Sequence, residues 1–193
     1  MAKLERFQHT KQRQEKDCWL ACAAMLEAYR LEINRTDDFS AAPSAIYNDL
    51  LTAYLDENRE ISEAAIPQGN PFGFLINCFG YSKETVEVCD YAIPTFEQIK
   101  APIDAGFPLL CFVERGAPGN GFDKDEGRYF PCVGDDGHAI IICGYDETGG
   151  SRNILVADPA LDGITTIPYS PTEYCEEKYV DRLYWWATIL KEF

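Results

Sequence analysis

Gly137-His138-Ala139-Ile140-Ile141-Ile142-Cys143-Gly144-Tyr145-Asp146-Glu147-Thr148-Gly149-Gly150-Ser151-Arg152-Asn153-Ile154-Leu155-Val156-Ala157-Asp158 is the stretch on which the fold turns. Two apolar runs, His138–Tyr145 and Asn153–Asp158, flank a connection, residues 146–152, of the composition expected for a β-hairpin turn. If the chain turns about Gly149, Ile140 stands opposite Asp158. His138 and Asp158 then become diagonal neighbours on one face, about 7–8 Å apart at Cα. A slip of one residue would send them to opposite faces.

Outward from the hairpin, Thr85–Asp90, Pro108–Glu114, Gly163–Ile167 and Arg182–Lys191 read as further strands of an antiparallel sheet. Trp185 and Trp186 adjoin on the last of these and must face opposite ways, one into the core and the other toward the His138 side. Thr95–Ala105 reads as a helix ended by Gly106. Arg115–Asp136, rich in Gly, Pro and Asp, reads as a long surface loop. Upstream of residue 84 the character changes to helical. Asp17–Leu31 is apolar almost all round, the pattern of a helix buried on most sides, with Asp17 as its N-cap. Pro43–Glu57 repeats Ile46, Leu50, Leu51, Tyr54 and Leu55 at helical spacing behind a first-turn proline, and residues 72–80 add a short turn. The expected class is α+β: one domain over residues 1–193, with a helical lobe at about 17–83 packed on a mostly antiparallel sheet lobe at about 84–193.

Length and composition agree with that. A chain of 193 residues with 46% hydrophobic and 25% charged residues is an ordinary globular chain, able to remove roughly 70% of its unfolded surface from water. Lys and Arg number 17 against 32 Asp and Glu, a net charge of −15, which repels phosphate backbones and anionic lipid. Neither a nucleic acid nor a membrane is expected as partner. The N-terminal residues 1–16 hold no signal-peptide core, and no apolar run approaches the about 20 residues of a membrane span. The expected location is cytoplasmic, or outside the cell by a route without a classical signal peptide. Eight cysteines could pair, but Cys111 and Cys143 lie inside apolar runs, where a thiol behaves as a small hydrophobe. A mostly reduced protein is expected.

Only His9 and His138 can supply an imidazole. His138 opens an apolar strand beside a Gly-Asp-Asp-Gly loop, where a partly exposed base could reach a cleft. Cys18 starts the buried helix, where unpaired N–H groups and the helix dipole favour a thiolate. With Asp158 on the neighbouring strand, these residues suit an activated thiol nucleophile.

The segments Gln12-Arg13-Gln14-Glu15-Lys16-Asp17-Cys18-Trp19-Leu20-Ala21-Cys22, Gly137-His138-Ala139-Ile140 and Val156-Ala157-Asp158-Pro159 together resemble the papain-like cysteine peptidases of bacteria. The similarity is to the bacteriocin-processing (double-glycine leader) peptidases and to related bacterial effector proteases. Such enzymes carry a Gln six residues before the nucleophile, an Asp-Cys-x-x-x-Cys helix start, a His leading an apolar strand and an Asp-Pro after the next strand. The match, over residues 12–160, implies Cys18 as nucleophile, His138 as general base and acid, Asp158 as orienting carboxylate and Gln12 as oxyanion-hole side chain. Gln14 is the alternative to Gln12. Cys18-Trp19 differs from the Cys-Gly of the leader peptidases and is similar to the papain and effector type. The implied activity is hydrolysis of a peptide bond in a peptide or protein, through a thioester and without metal or organic cofactor. The same triad also suits deamidation or acyl transfer, and a silent fold of this type would serve as a peptide-binding module.

Other features have plainer readings. Trp19 belongs to the core or walls the cleft. Cys22 reads as a packed core thiol, because i,i+4 positions on a helix are poorly placed for a disulfide, and no second close Cys or His pair completes a zinc site. His9 reads as solvated. So do the turn residues Asp135 and Asp136 and the loop residues Asp123, Asp125 and Glu126. Nothing in the sequence bears on oligomeric state.

Overall fold

The computed structural model describes residues 1–13, 17–34, 42–58, 85–89, 94–114, 122–123, 128–129, 137–169 and 185–190. In chain order they form β1 (Ala2–Lys3), α1 (Cys18–Ile33), α2 (Pro43–Asn58), β2 (Thr85–Cys89), α3 (Phe96–Asp104), β3 (Leu109–Glu114), β4 (Phe122–Asp123), β5 (Arg128–Tyr129), β6 (Gly137–Asp146), β7 (Asn153–Ala157), β8 (Ile164–Pro168) and β9 (Trp185–Leu190). The class is α+β, as the sequence predicts. The expected short turn at 72–80 and the division near residue 84 lie outside the described residues.

Helix α1 is buried on nearly every side, from Cys18 through Tyr29, because it packs on β6 on one side and α2 on another. Asp17 holds the N-cap position, but its side chain makes no cap bond; only its backbone carbonyl accepts, from the Leu20 and Ala21 N–H groups at 3.0 and 3.1 Å. The N-cap position is thus as expected, without the side-chain bond that usually accompanies it. The carboxylate turns instead to the Tyr47 hydroxyl of α2, which donates to it. Helix α3 does begin with a side-chain cap: Thr95 accepts from the Gln98 N–H, and the Gln98 side chain accepts from the Thr95 N–H, satisfying two donors that every helix start leaves open.

Among the described residues the main sheet has seven strands, ordered β2-β9-β3-β6-β7-β8, with β1 also paired to β6. Every pairing is antiparallel. Strand β6 is the spine, flanked by β3 and β7, and Ala139, Ile140, Ile141, Ile142 and Cys143 are all fully buried. A strand covered on both faces reads as a continuous apolar run. Strands β4 and β5, a separate two-stranded pair, fall within the expected long loop, whose remaining residues are outside the described set.

The N-terminal segment, to which the sequence reading assigned no strand and no core residue, supplies both. Ala2 and Lys3 pair with Tyr145 and Gly144, the Leu4 N–H donates to the Cys143 carbonyl at 3.0 Å, and Leu4 and Phe7 enter the core. Two apolar anchors three residues apart within a mostly polar stretch are too sparse to register as a periodic pattern.

The hairpin holds the largest subtlety. Next to the turn the pairs are Asp146↔Asn153, Tyr145↔Ile154 and Gly144↔Leu155; beyond it they are Ile142↔Val156 and Ile141↔Ala157. Cys143 is therefore an extra residue, a β-bulge that shifts the ladder by one. One more step sets Ile140 opposite Asp158, as the turn about Gly149 predicts. The turn itself is offset from that centre, and the bulge restores the register. Without it Ile141 would oppose Asp158, and His138 would lie on the other face.

Candidate active site

Three elements converge. Cys18 is the first residue of α1, His138 the second of β6, and Asp158 the first residue after β7. The His138 Nε2–H donates to Asp158 Oδ1 at 2.7 Å, and Cys18 is the second side chain hydrogen-bonded to this ring. Asp158 Oδ1 accepts a second bond, from the Ala160 N–H at 2.8 Å, so the tight Asp-Pro turn that follows β7 fixes the carboxylate. Cys18 Sγ in turn accepts the Ala139 N–H at 3.4 Å. Sequence reasoning did not find that donor, because it comes from the backbone of the residue after His138.

All three side chains are buried: Cys18 is 2% exposed, and His138 and Asp158 0%. The expectation of a partly exposed base is corrected: His138 pairs with Val113 of β3, the start of α1 packs against the same stretch of β6, and the Asp158 carboxylate bonds its ring. Burial by itself pushes the imidazole pKa down. The Asp158 hydrogen bond, with the hydrogen bond and charge of Cys18, outweighs that and raises it from 6.5 to about 9. The shift favours the protonated ring at neutral pH, with the Asp158 carboxylate as its hydrogen-bond partner.

The other candidates sort differently. Trp19 is 4% exposed and part of the core cluster. Cys22 is fully buried, and burial, followed by the charges of Cys18 and Asp158, pushes its thiol pKa well up. Gln12 is half-buried, with its backbone N–H donating to the Pro159 carbonyl at 2.8 Å, one residue beyond Asp158. Gln14, Asp125, Glu126, Asp135 and Asp136 lie outside the described residues, as do the side chains of Asp123, Trp185 and Trp186. By backbone register Trp185 shares a row with Val113 and His138. Among the described residues no cluster of three or more His, Cys, Asp or Glu could hold a metal ion.

His9 is not a solvated bystander. Its Nε2 bonds the Asp158 backbone carbonyl at 2.9 Å, and nearby Lys11 pairs with Asp162 at 2.8 Å. The N-terminal segment thus lies along the loop that carries the candidate acid. Only tertiary contact reveals this, since residues 9 and 158 are remote in sequence.

The sequence profile of the family described as Peptidase_C39 like matches residues 4–185. No curated protein matches the chain. Among solved structures, the chain is similar to a crystal structure of a C39-like peptidase from Bacillus anthracis, with a TM-score of 0.53 and 15% identity over 98% of this chain and 97% of that one. At that identity the likeness carries the fold alone. Among the described residues, no helix is long and apolar enough to cross a membrane.

Proposed function

The chain belongs to the Peptidase_C39-like family, and from that premise we propose that it hydrolyses peptide bonds with Cys18, His138 and Asp158 as its triad. The observation that carries this reading is the buried cluster in which His138 Nε2 bonds Asp158 Oδ1 at 2.7 Å while Cys18, hydrogen-bonded to the same ring, accepts the N–H of the next residue, Ala139, at 3.4 Å.

In this mechanism the Cys18 thiolate attacks the carbonyl carbon of a peptide or protein substrate, and the C=O π pair moves onto oxygen. The Gln12 amide and the Cys18 backbone N–H stabilise that oxyanion. As the intermediate collapses, the C–N bond breaks, His138 gives its proton to the leaving amine, and Cys18 keeps the acyl group as a thioester. Water then attacks, losing a proton to His138, and the carboxylic acid departs as Cys18 returns to a thiolate paired with imidazolium. Asp158 holds the ring and its charge throughout without taking the proton. No step calls on a metal or organic cofactor.

One observation favours a second reading. With Cys18 only 2% exposed, a peptidase fold that binds a peptide without turning it over would also fit. Incubation with an unfolded protein such as reduced casein, read by intact-mass and peptide mass spectrometry with Cys18→Ala as blank, separates the readings. Hydrolysis gives paired fragments whose masses sum to the parent plus about 18 Da, whereas side-chain deamidation leaves an intact chain about 1 Da heavier. Fragments made by the wild type alone are expected. Identical fragment patterns from wild type and the Ala variant would remove hydrolysis by Cys18.

A further inference from the structure

Deepening the peptidase reading and resting on it, we propose that Tyr47 is a positioning residue: its hydroxyl ties the segment carrying Gln12 to the start of α1 and so sets the oxyanion-hole side chain relative to Cys18. Asp17 is 0% exposed and stands one residue before Cys18. A buried carboxylate is costly unless it is hydrogen-bonded. Asp17 gives up a side-chain cap on α1 and accepts instead from the Tyr47 hydroxyl. The same oxygen accepts the Arg13 backbone N–H at 3.0 Å.

One hydroxyl, used as donor and acceptor at once, thereby joins residues 13 and 17, the two ends of the stretch between Gln12 and Cys18. On its other side Gln12 is fixed by its own N–H, 2.8 Å from the Pro159 carbonyl. Its backbone is therefore held between the Asp158 loop and helix α2. The Arg13 guanidinium, 5.7 Å from the centre of the Tyr47 ring, adds a cation–π contact to the same joint. Burial, and then the bond to Asp17, raise the Tyr47 pKa, so the hydroxyl keeps its proton wherever a Cys-His pair operates.

An oxyanion donor works only at the right distance from the developing charge, and small displacements are expensive. The role of Tyr47 can thus be separated from general stability by a reagent that needs the hole and one that does not. N-acetylglycinal reacts reversibly: Cys18 Sγ bonds to the aldehyde carbon, the carbonyl pair moves to oxygen beside Gln12, and the His138 proton completes the hemithioacetal. Iodoacetamide alkylates Sγ by displacing iodide and forms no oxyanion. In Tyr47→Phe the alkylation rate at Cys18 is expected to stay within about twofold of wild type, while protection by the aldehyde weakens by about tenfold or more.

Equal aldehyde protection in the two proteins overturns the proposal, as does a parallel loss of both reactions in a folded variant. If Tyr47→Phe fails to fold, Asp17→Asn keeps the Arg13 bond and exchanges a charge-assisted bond for a weaker neutral one. It should lose about threefold in aldehyde protection, and unchanged protection there also overturns the proposal. Failure of the peptidase reading looks different: a wild-type Cys18 no more reactive than Cys143 removes the reading and this role with it.

Discussion

Asp158→Asn slows peptide turnover by about 10²- to 10⁴-fold without unfolding the protein, the range that general acid and base catalysis contributes. The asparagine oxygen can still accept from His138 and from the Ala160 N–H, which meet Asp158 Oδ1 at 2.7 and 2.8 Å, so the frame of the site survives. What disappears is the negative charge. Burial then depresses the imidazole pKa with much less opposition, and the value of about 9 falls. His138 becomes neutral at working pH, so Cys18 loses its counter-ion and the leaving amine loses its acid.

The same shift carries a stability signature. Because the folded-state pKa lies above the ordinary 6.5, the imidazolium stabilises the fold fully below about pH 6.5; that contribution declines as pH rises and is gone above about 9. Urea midpoints of the wild type should therefore fall from pH 6 to pH 9.5, more steeply than those of the Asn variant. Equal turnover by the two proteins, or parallel midpoint profiles, would contradict this account of Asp158.

Gly144→Ala is expected to cost about 1–3 kcal/mol, the range for a forced overpacking. A Cβ at this position would stand 2.7 Å from the Ala2 carbonyl oxygen and 3.0 Å from Lys3 Cα. Both are backbone atoms, which cannot swing aside as a side chain would. The residue also adjoins the Cys143 bulge. The expected response is that β1 lifts from β6, exposing the Leu4 amide that donates to Cys143. Hydrogen exchange at Leu4 should quicken by more than at Ile141, and the urea midpoint should drop. An unchanged midpoint with full Leu4 protection would mean that β1 adapts freely.

These two sites also mark how far the sequence could be read. Helix α1 was legible because its apolar residues run all round, and β6 because five apolar residues, Ala139–Cys143, follow His138. Fold class and the nearness of His138 to Asp158 followed from those elements with a turn placed at Gly149, whereas Cys18 was joined to them by the family resemblance. The placement was right at Asp158 for an incomplete reason. The register beside the turn is offset by one residue and the bulge at Cys143 compensates, a correction that local pattern cannot show, because Cys143 looks like any other member of its apolar run. Asp17 has the chemistry of an N-cap, and only the approach of Tyr47 from α2 turns it away. The roles of His9, Leu4 and Phe7 depend on contacts with β6 and the loop after β7, so periodicity within residues 1–13 could not reveal them. The burial of His138 was missed because a strand mouth looks exposed until the neighbouring strands and α1 are placed around it.

The most direct test of the central claim, a Cys18 thiolate paired with protonated His138, is the iodoacetamide alkylation rate of each cysteine from about pH 4 to 9, read by peptide mass spectrometry, with His138→Ala in parallel. An ordinary thiol, of pKa near 8.5, is almost inert below pH 6. Cys22 and Cys143 should be more inert still, since burial pushes the first well up and the second to about 12. The account predicts rapid labelling of Cys18 alone at pH 5 to 6, lost in the His138→Ala protein. Labelling of Cys18 at the pace of Cys143, or low-pH labelling that persists without His138, would contradict it.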